Sequence, residues 1–132
     1  MAEFIRRLTF NVLIGNGDMH LKNWSLIYPD RRNARLAPAY DFISTIPYIA
    51  NDRFALTFGR TKEFTGFTLD ELAHLSAKAH LPRKLVIDTA KETVAPFMER
   101  WKTEKTNLPM HEDVVEIIDG HLATLSIVTG KE

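Results

Sequence analysis

Four helix-patterned stretches, with a single well-marked hairpin between the first and the second, set what this chain of 132 residues can fold into. From Ala2 to Ile14, Phe4, Leu8 and Val12 recur every fourth residue, flanked by Ile5 and Leu13, which is one face of a helix. Gly15-Asn16-Gly17 ends it, because glycine readily takes the left-handed conformation that lets a chain leave a helix. Thr68 followed by Glu71 has the spacing of a capping box and opens a second helix through about Ala79. Pro82 is placed to start a third, through about Thr103, since proline is tolerated in a first turn. Pro96 lies inside that segment and is expected to kink or divide it. A last helix from about His111 to Val128 is expected to bury Val114, Val115, Ile118, Leu122 and Leu125.

The β-patterned residues are few. Trp24 to Tyr28 is a short β-rich run, Pro29 to Ala34 carries turn chemistry, and Arg35 to Ala39 can return antiparallel. Pairing Trp24 with Ala39 and Tyr28 with Arg35 gives one consistent register. Phe54, Leu56 and Phe58 alternate with small or polar residues and suggest a further strand ended by Gly59. The stretch to Gly66 reads as a turn or a weak second strand. The fold class is therefore α+β, predominantly helical, in one domain over 1–132 with one core.

Composition narrows the function classes. Seventeen basic residues balance seventeen acidic ones, so the total charge gives no footprint for nucleic acid or an anionic membrane. There are no cysteines, which excludes disulfides, thiolate metal sites and a cysteine nucleophile, and fits a cytoplasmic location. No apolar run approaches the length of a membrane span.

The chemistry is concentrated in Gly17-Asp18-Met19-His20-Leu21-Lys22-Asn23. An aspartate followed five residues later by an asparagine has the spacing of a kinase-type catalytic loop. Phosphoryl transfer needs positioning and charge neutralisation more than covalent help. An aspartate can orient the attacking hydroxyl and take its proton. An asparagine oxygen can ligate Mg2+ without adding negative charge. A second carboxylate must hold the metal that bridges the nucleotide phosphates, and Asp41 is the candidate. In the expected register Asn23 lies opposite Tyr40, and Asp41 emerges beside it. Opposed residues in such a ladder are about 5 Å apart, near enough for neighbouring side chains to share an ion.

Val12 to Ser25, together with Leu36-Ala37-Pro38-Ala39-Tyr40-Asp41-Phe42-Ile43-Ser44-Thr45, resembles the C-terminal region of the HipA-like serine/threonine kinases, toxin components of bacterial toxin–antitoxin systems. The resemblance implies a kinase C-lobe with the hairpin beside the catalytic loop. It makes Asp18 the catalytic aspartate, Asn23 a metal ligand and Asp41 the metal-binding aspartate, with ATP and Mg2+ in use. Asp41-Phe42 keeps two letters of the kinase DFG triplet, but Ile43 replaces its glycine, so a conventional activation-loop flip is not expected. His20 is read as a structural brace in preference to a reacting group. Lys22 is open between a phosphate contact and a solvated lysine. The family further implies a helix-turn-helix antitoxin as partner and an aminoacyl-tRNA synthetase as protein substrate.

No G-x-G-x-x-G can be built from glycines at 15, 17, 59, 66, 120 and 130, and there is no strand–glycine-loop–lysine cradle for phosphates. An N-terminal lobe, on the same or a separate chain, is therefore expected to complete the enzyme, and the chain alone is expected to be inactive. Two other readings stand beside this one: the C-lobe of a small-molecule or lipid phosphotransferase, and a truncated, non-catalytic module that binds a partner.

Overall fold

The computed structural model describes residues 2–18, 24–39, 42–55, 57 and 59–131. Helix α1, Ala2–Ile14, buries Ile5, Leu8, Val12 and Leu13 in a stripe, with polar Thr9 and Asn11 buried alongside. Both polar side chains donate within the helix. The Thr9 hydroxyl donates to the Ile5 carbonyl at 2.8 Å, and Asn11 Nδ2 donates to the Arg7 carbonyl at 2.7 Å. Gly15, at φ +66°, ends the helix as expected. Its N–H bonds the Val12 carbonyl and the Asn16 N–H reaches back to Asn11, the paired arrangement of a Schellman stop.

A long helix forms the spine against which the others pack. The chain continues through a 3₁₀ turn, Phe64–Gly66, into α2, Leu69–Lys78, and then α3, Arg83–Glu104. Helix α3 packs on α1 and α2 and buries Val86, Ala90 and Val94. Pro82 caps α3 instead of entering its first turn. Pro96 does not divide it: the helix runs unbroken from Arg83 to Glu104. Pro96 lies on the exposed side, where one lost backbone bond is offset by the packed face, and Phe97 meets Phe10 of α1 edge-on at 5.7 Å.

Thr68 caps α2 by accepting from the Glu71 N–H at 3.0 Å. The reciprocal half of the capping box does not form, because the Glu71 carboxylate turns to Arg60, accepting from its backbone N–H and from its Nε at 3.0 Å.

The last expected helix is two. Helix α4, Glu112–Thr124, and α5, Ser126–Thr129, are separated by Leu125 in an extended conformation (φ −88°, ψ 119°). The break lets Leu125 bury completely beside Ile118 and Leu122, whereas Val114 and Val115 are only half-buried. Asp119 ties α4 to α3, accepting from Trp101 Nε1 at 2.8 Å and Lys105 Nζ at 2.9 Å.

The hairpin exists but is shorter and shifted. Strands β1, Leu26–Ile27, and β2, Arg35–Leu36, pair antiparallel with Leu26 opposite Leu36 and Ile27 opposite Arg35. The expected register, with Tyr28 opposite Arg35, is thus off by one residue. The cause is the turn. Asp30 accepts from the backbone N–H groups of Arg32 and Asn33 and from Asn33 Nδ2, while Arg31 sits at φ +63° and donates to Tyr28. That arrangement absorbs Tyr28 into the connection. The strand expected over Phe54, Leu56 and Phe58 is not found among the described residues, Leu56 and Phe58 lying outside them. Phe54 is a core residue instead, its ring 4.7 Å from Phe64 and its N–H bonded to the Lys62 carbonyl.

Candidate active site

A buried polar knot stands where α1 hands over to the candidate catalytic loop. Asn16, 1% exposed, donates from Nδ2 to Asn11 Oδ1 at 2.6 Å, and its own Oδ1 accepts the Asp18 N–H at 3.0 Å. The Gly17 N–H donates to the Thr45 hydroxyl at 2.7 Å. The Gly15 carbonyl accepts from the Thr45 N–H at 3.0 Å and lies 3.1 Å from the Thr45 hydroxyl, which also meets the Asp52 carboxylate. Residues 15–18 and the segment that follows Asp41 are therefore stitched together. Asp18 follows the knot with its side chain exposed.

Two glycines are needed for this fit. A Cβ on Gly15 would lie 2.6 Å from Ile46 Cδ1, in a backbone conformation that L side chains rarely adopt. A Cβ on Gly17 would lie 2.6 Å from the Arg53 carbonyl, so the 52–53 segment leaves no room for a side chain there.

His20, Lys22, Asn23 and Asp41 lie outside the described residues. The pairing that set Asn23 opposite Tyr40 was the expected register, and the described strands carry a different one. The described flanks on both sides rest on α1. Trp24 lies against Phe4 with ring centres 5.0 Å apart, and Phe42, 41% exposed, stacks on Phe10 at 5.3 Å. Phe42 is thus packed on α1 by one face of its ring. Among the described residues no group of three or more His, Cys, Asp or Glu side chains is arranged to hold a metal ion.

Sequence reasoning missed Thr45, Asp52 and His121. Thr45 stood in the segment that carries the resemblance, yet no local pattern links it to Gly17, 28 residues away. His121 of α4 approaches the Val12 carbonyl with Nε2 at 2.6 Å and, since a carbonyl can only accept, donates to the last turn of α1. Burial holds its pKa below the usual histidine value, outweighing the Val12 bond that favours the charged form. No spacing rule links residues 12 and 121.

Comparison with known proteins identifies the family to which this helical domain belongs. Residues 1–101 match the family model of the HipA-like C-terminal domain, and the chain belongs to that family. It is 62% identical over 128 residues to a Sinorhizobium fredii protein named "Putative kinase Y4dM", covering 96% of this chain and 31% of that protein. A Haemophilus influenzae protein named "Putative kinase" is 50% identical over 46 residues, 35% of this chain and 13% of its own. The fold matches a chain in a solved Shewanella oneidensis complex of HipA, HipB and operator DNA, with TM-score 0.72 and 21% identity, over 97% of this chain and 30% of that one. The chain thus spans less than a third of the length of each of these proteins.

Proposed function

We propose that this chain is the catalytic and metal-holding part of a HipA-like serine/threonine protein kinase that transfers the γ-phosphoryl group of ATP–Mg to a protein hydroxyl. The observation that carries the reading is the knot at Gly15–Asp18. It sets an exposed aspartate at the end of a turn whose N–H groups from Gly15 to Asp18 are all hydrogen-bonded, and anchors the segment following Asp41 to the same turn. Catalysis of phosphoryl transfer is mostly positioning, and a turn held on both sides supplies it.

Asp18 would orient the acceptor hydroxyl and accept its proton. Asn23 and Asp41 would hold the metal; an amide oxygen and a carboxylate are hard oxygen donors and suit Mg2+. The bound ion would neutralise the phosphate oxygens of the nucleotide. His20 would brace the loop, and Lys22 would lie near the transferred phosphate. We assign the nucleotide's remaining contacts to an N-terminal lobe, because no glycine-rich phosphate loop occurs in the sequence.

By analogy with the HipA–HipB complex, a helix-turn-helix antitoxin would be the partner and would carry any DNA contact, consistent with a chain whose charges balance. The substrate class is a protein, an aminoacyl-tRNA synthetase being the family's precedent, and the work would be done in the cytoplasm. Among the described residues no helix is long and apolar enough to cross a membrane.

The test is phosphoryl transfer by the protein extended to the length of its relatives. Asp18→Asn and Asp41→Asn should each lower the rate by about 10²–10⁴-fold, the range for removing a general base or a comparable electrostatic group. Unchanged rates in both variants would refute the assignment.

A further inference from the structure

We propose that Thr45, oriented by Asp52, is a positioning residue for the catalytic loop; the claim rests on reading Asp18 as the catalytic aspartate. Thr45 is 8% exposed, and its hydroxyl sits where three groups converge. It accepts the Gly17 N–H at 2.7 Å. Its single proton has two acceptors within reach, the Asp52 carboxylate and the Gly15 carbonyl at 3.1 Å. An ionised carboxylate is the stronger acceptor. Asp52 therefore takes the proton and leaves an oxygen lone pair aimed at Gly17.

The steric side of the arrangement agrees. The Arg53 carbonyl stands 2.6 Å from where a Cβ on Gly17 would be, so the backbone at Gly17 is closely confined while Thr45 holds the Gly17 N–H. The next N–H, that of Asp18, is held by Asn16. Both amides leading into Asp18 are thus fixed before any substrate arrives, whereas its side chain stays exposed. A turn needed only to end α1 would be complete at Asn16. The Thr45–Asp52 contact fixes the residues beyond that stop.

The experiment uses the protein extended to the length of its relatives, ATP–Mg as the probe and label transferred or phosphate released as the readout. Thr45→Val keeps the shape and loses the hydroxyl. It should lower kcat by about 10- to 100-fold, the scale of a small misplacement, with KM for ATP changed less than about twofold. Thr45→Ser restores the hydroxyl and should return kcat to within about threefold of the parent. A valine variant with parental kcat overturns the proposal, and so does a serine variant as impaired as the valine one. Should the valine variant not fold, Asp52→Ala replaces it. There the Thr45 proton turns to Gly15, and kcat should fall about 3- to 10-fold with the melting temperature retained; an unchanged kcat overturns the proposal. Asp18→Asn separates the two claims. If it is inactive while Thr45→Val is fully active, only the positioning role falls. If it is fully active, the catalytic reading falls and the positioning role with it.

Discussion

Burial pushes the Glu71 carboxyl up, yet the side-chain and backbone bonds from Arg60, with the guanidinium charge, outweigh it and hold the pKa below the usual 4.5. A carboxyl depressed in the folded state contributes stability that is fully present above its unfolded pKa and lost as pH falls through the folded value. His121 has the opposite charge type and the same direction of effect. Its pKa is lowered from 6.5, so the folded chain binds fewer protons than the unfolded one, and stability is lost as pH drops below that value. The melting temperature should therefore begin to fall below pH 6.5 because of His121 and again below 4.5 because of Glu71. His121→Gln should remove the first decline in a pH series of thermal melts, and persistence of that decline would exclude His121 as its source. Glu71→Ala should destabilise by about 1–3 kcal/mol in urea titrations, because it leaves the Arg60 N–H without its acceptor. Sequence spacing disclosed the Thr68 cap but not the turn of Glu71 toward Arg60, because that partner lies on a separate loop.

At the scale of elements, α3 carries a proline that the packing tolerates without needing it. Pro96 is exposed, and alanine there would restore one backbone bond and relieve a clash. Pro96→Ala should raise the unfolding free energy by about 1–3 kcal/mol with an unchanged denaturant slope. Gly120 in α4 faces open space, with nothing within 4 Å of where a Cβ would stand, so Gly120→Ala should add about 0.5–1 kcal/mol by the same assay. Helix starts and stops were legible because they are local: Gly15 ends α1, Thr68 caps α2 and Pro82 precedes α3. What was not legible depends on distant contacts or on the detail of one turn. The Asp30 network shifts the hairpin by a residue, and the burial of Leu125 splits the last helix.

For the whole molecule, the chain belongs to the HipA-like C-terminal domain family and spans less than a third of the relatives it matches. The candidate residues Asp18, Asn23 and Asp41 could be picked from residue type and spacing, because phosphoryl transfer demands oxygen donors in a narrow pattern. The contacts that hold Gly15 and Gly17 could not, since Thr45 meets both glycines, and Asp52 meets Thr45, only in three dimensions. The proposed function requires Asp18, Asn23 and Asp41 to converge on one divalent ion beside the acceptor hydroxyl. That convergence can be seen directly in a crystal structure of the protein extended to the length of its relatives, with Mn2+ and a non-hydrolysable ATP analogue, using the anomalous signal to locate the metal. The expected result is a metal peak within about 2.0–2.3 Å of Asn23 Oδ1 and an Asp41 carboxylate oxygen, with the Asp18 carboxylate facing the γ-phosphate. A metal held by other residues, or an Asp41 side chain turned away from Asp18 and Asn23, would contradict it.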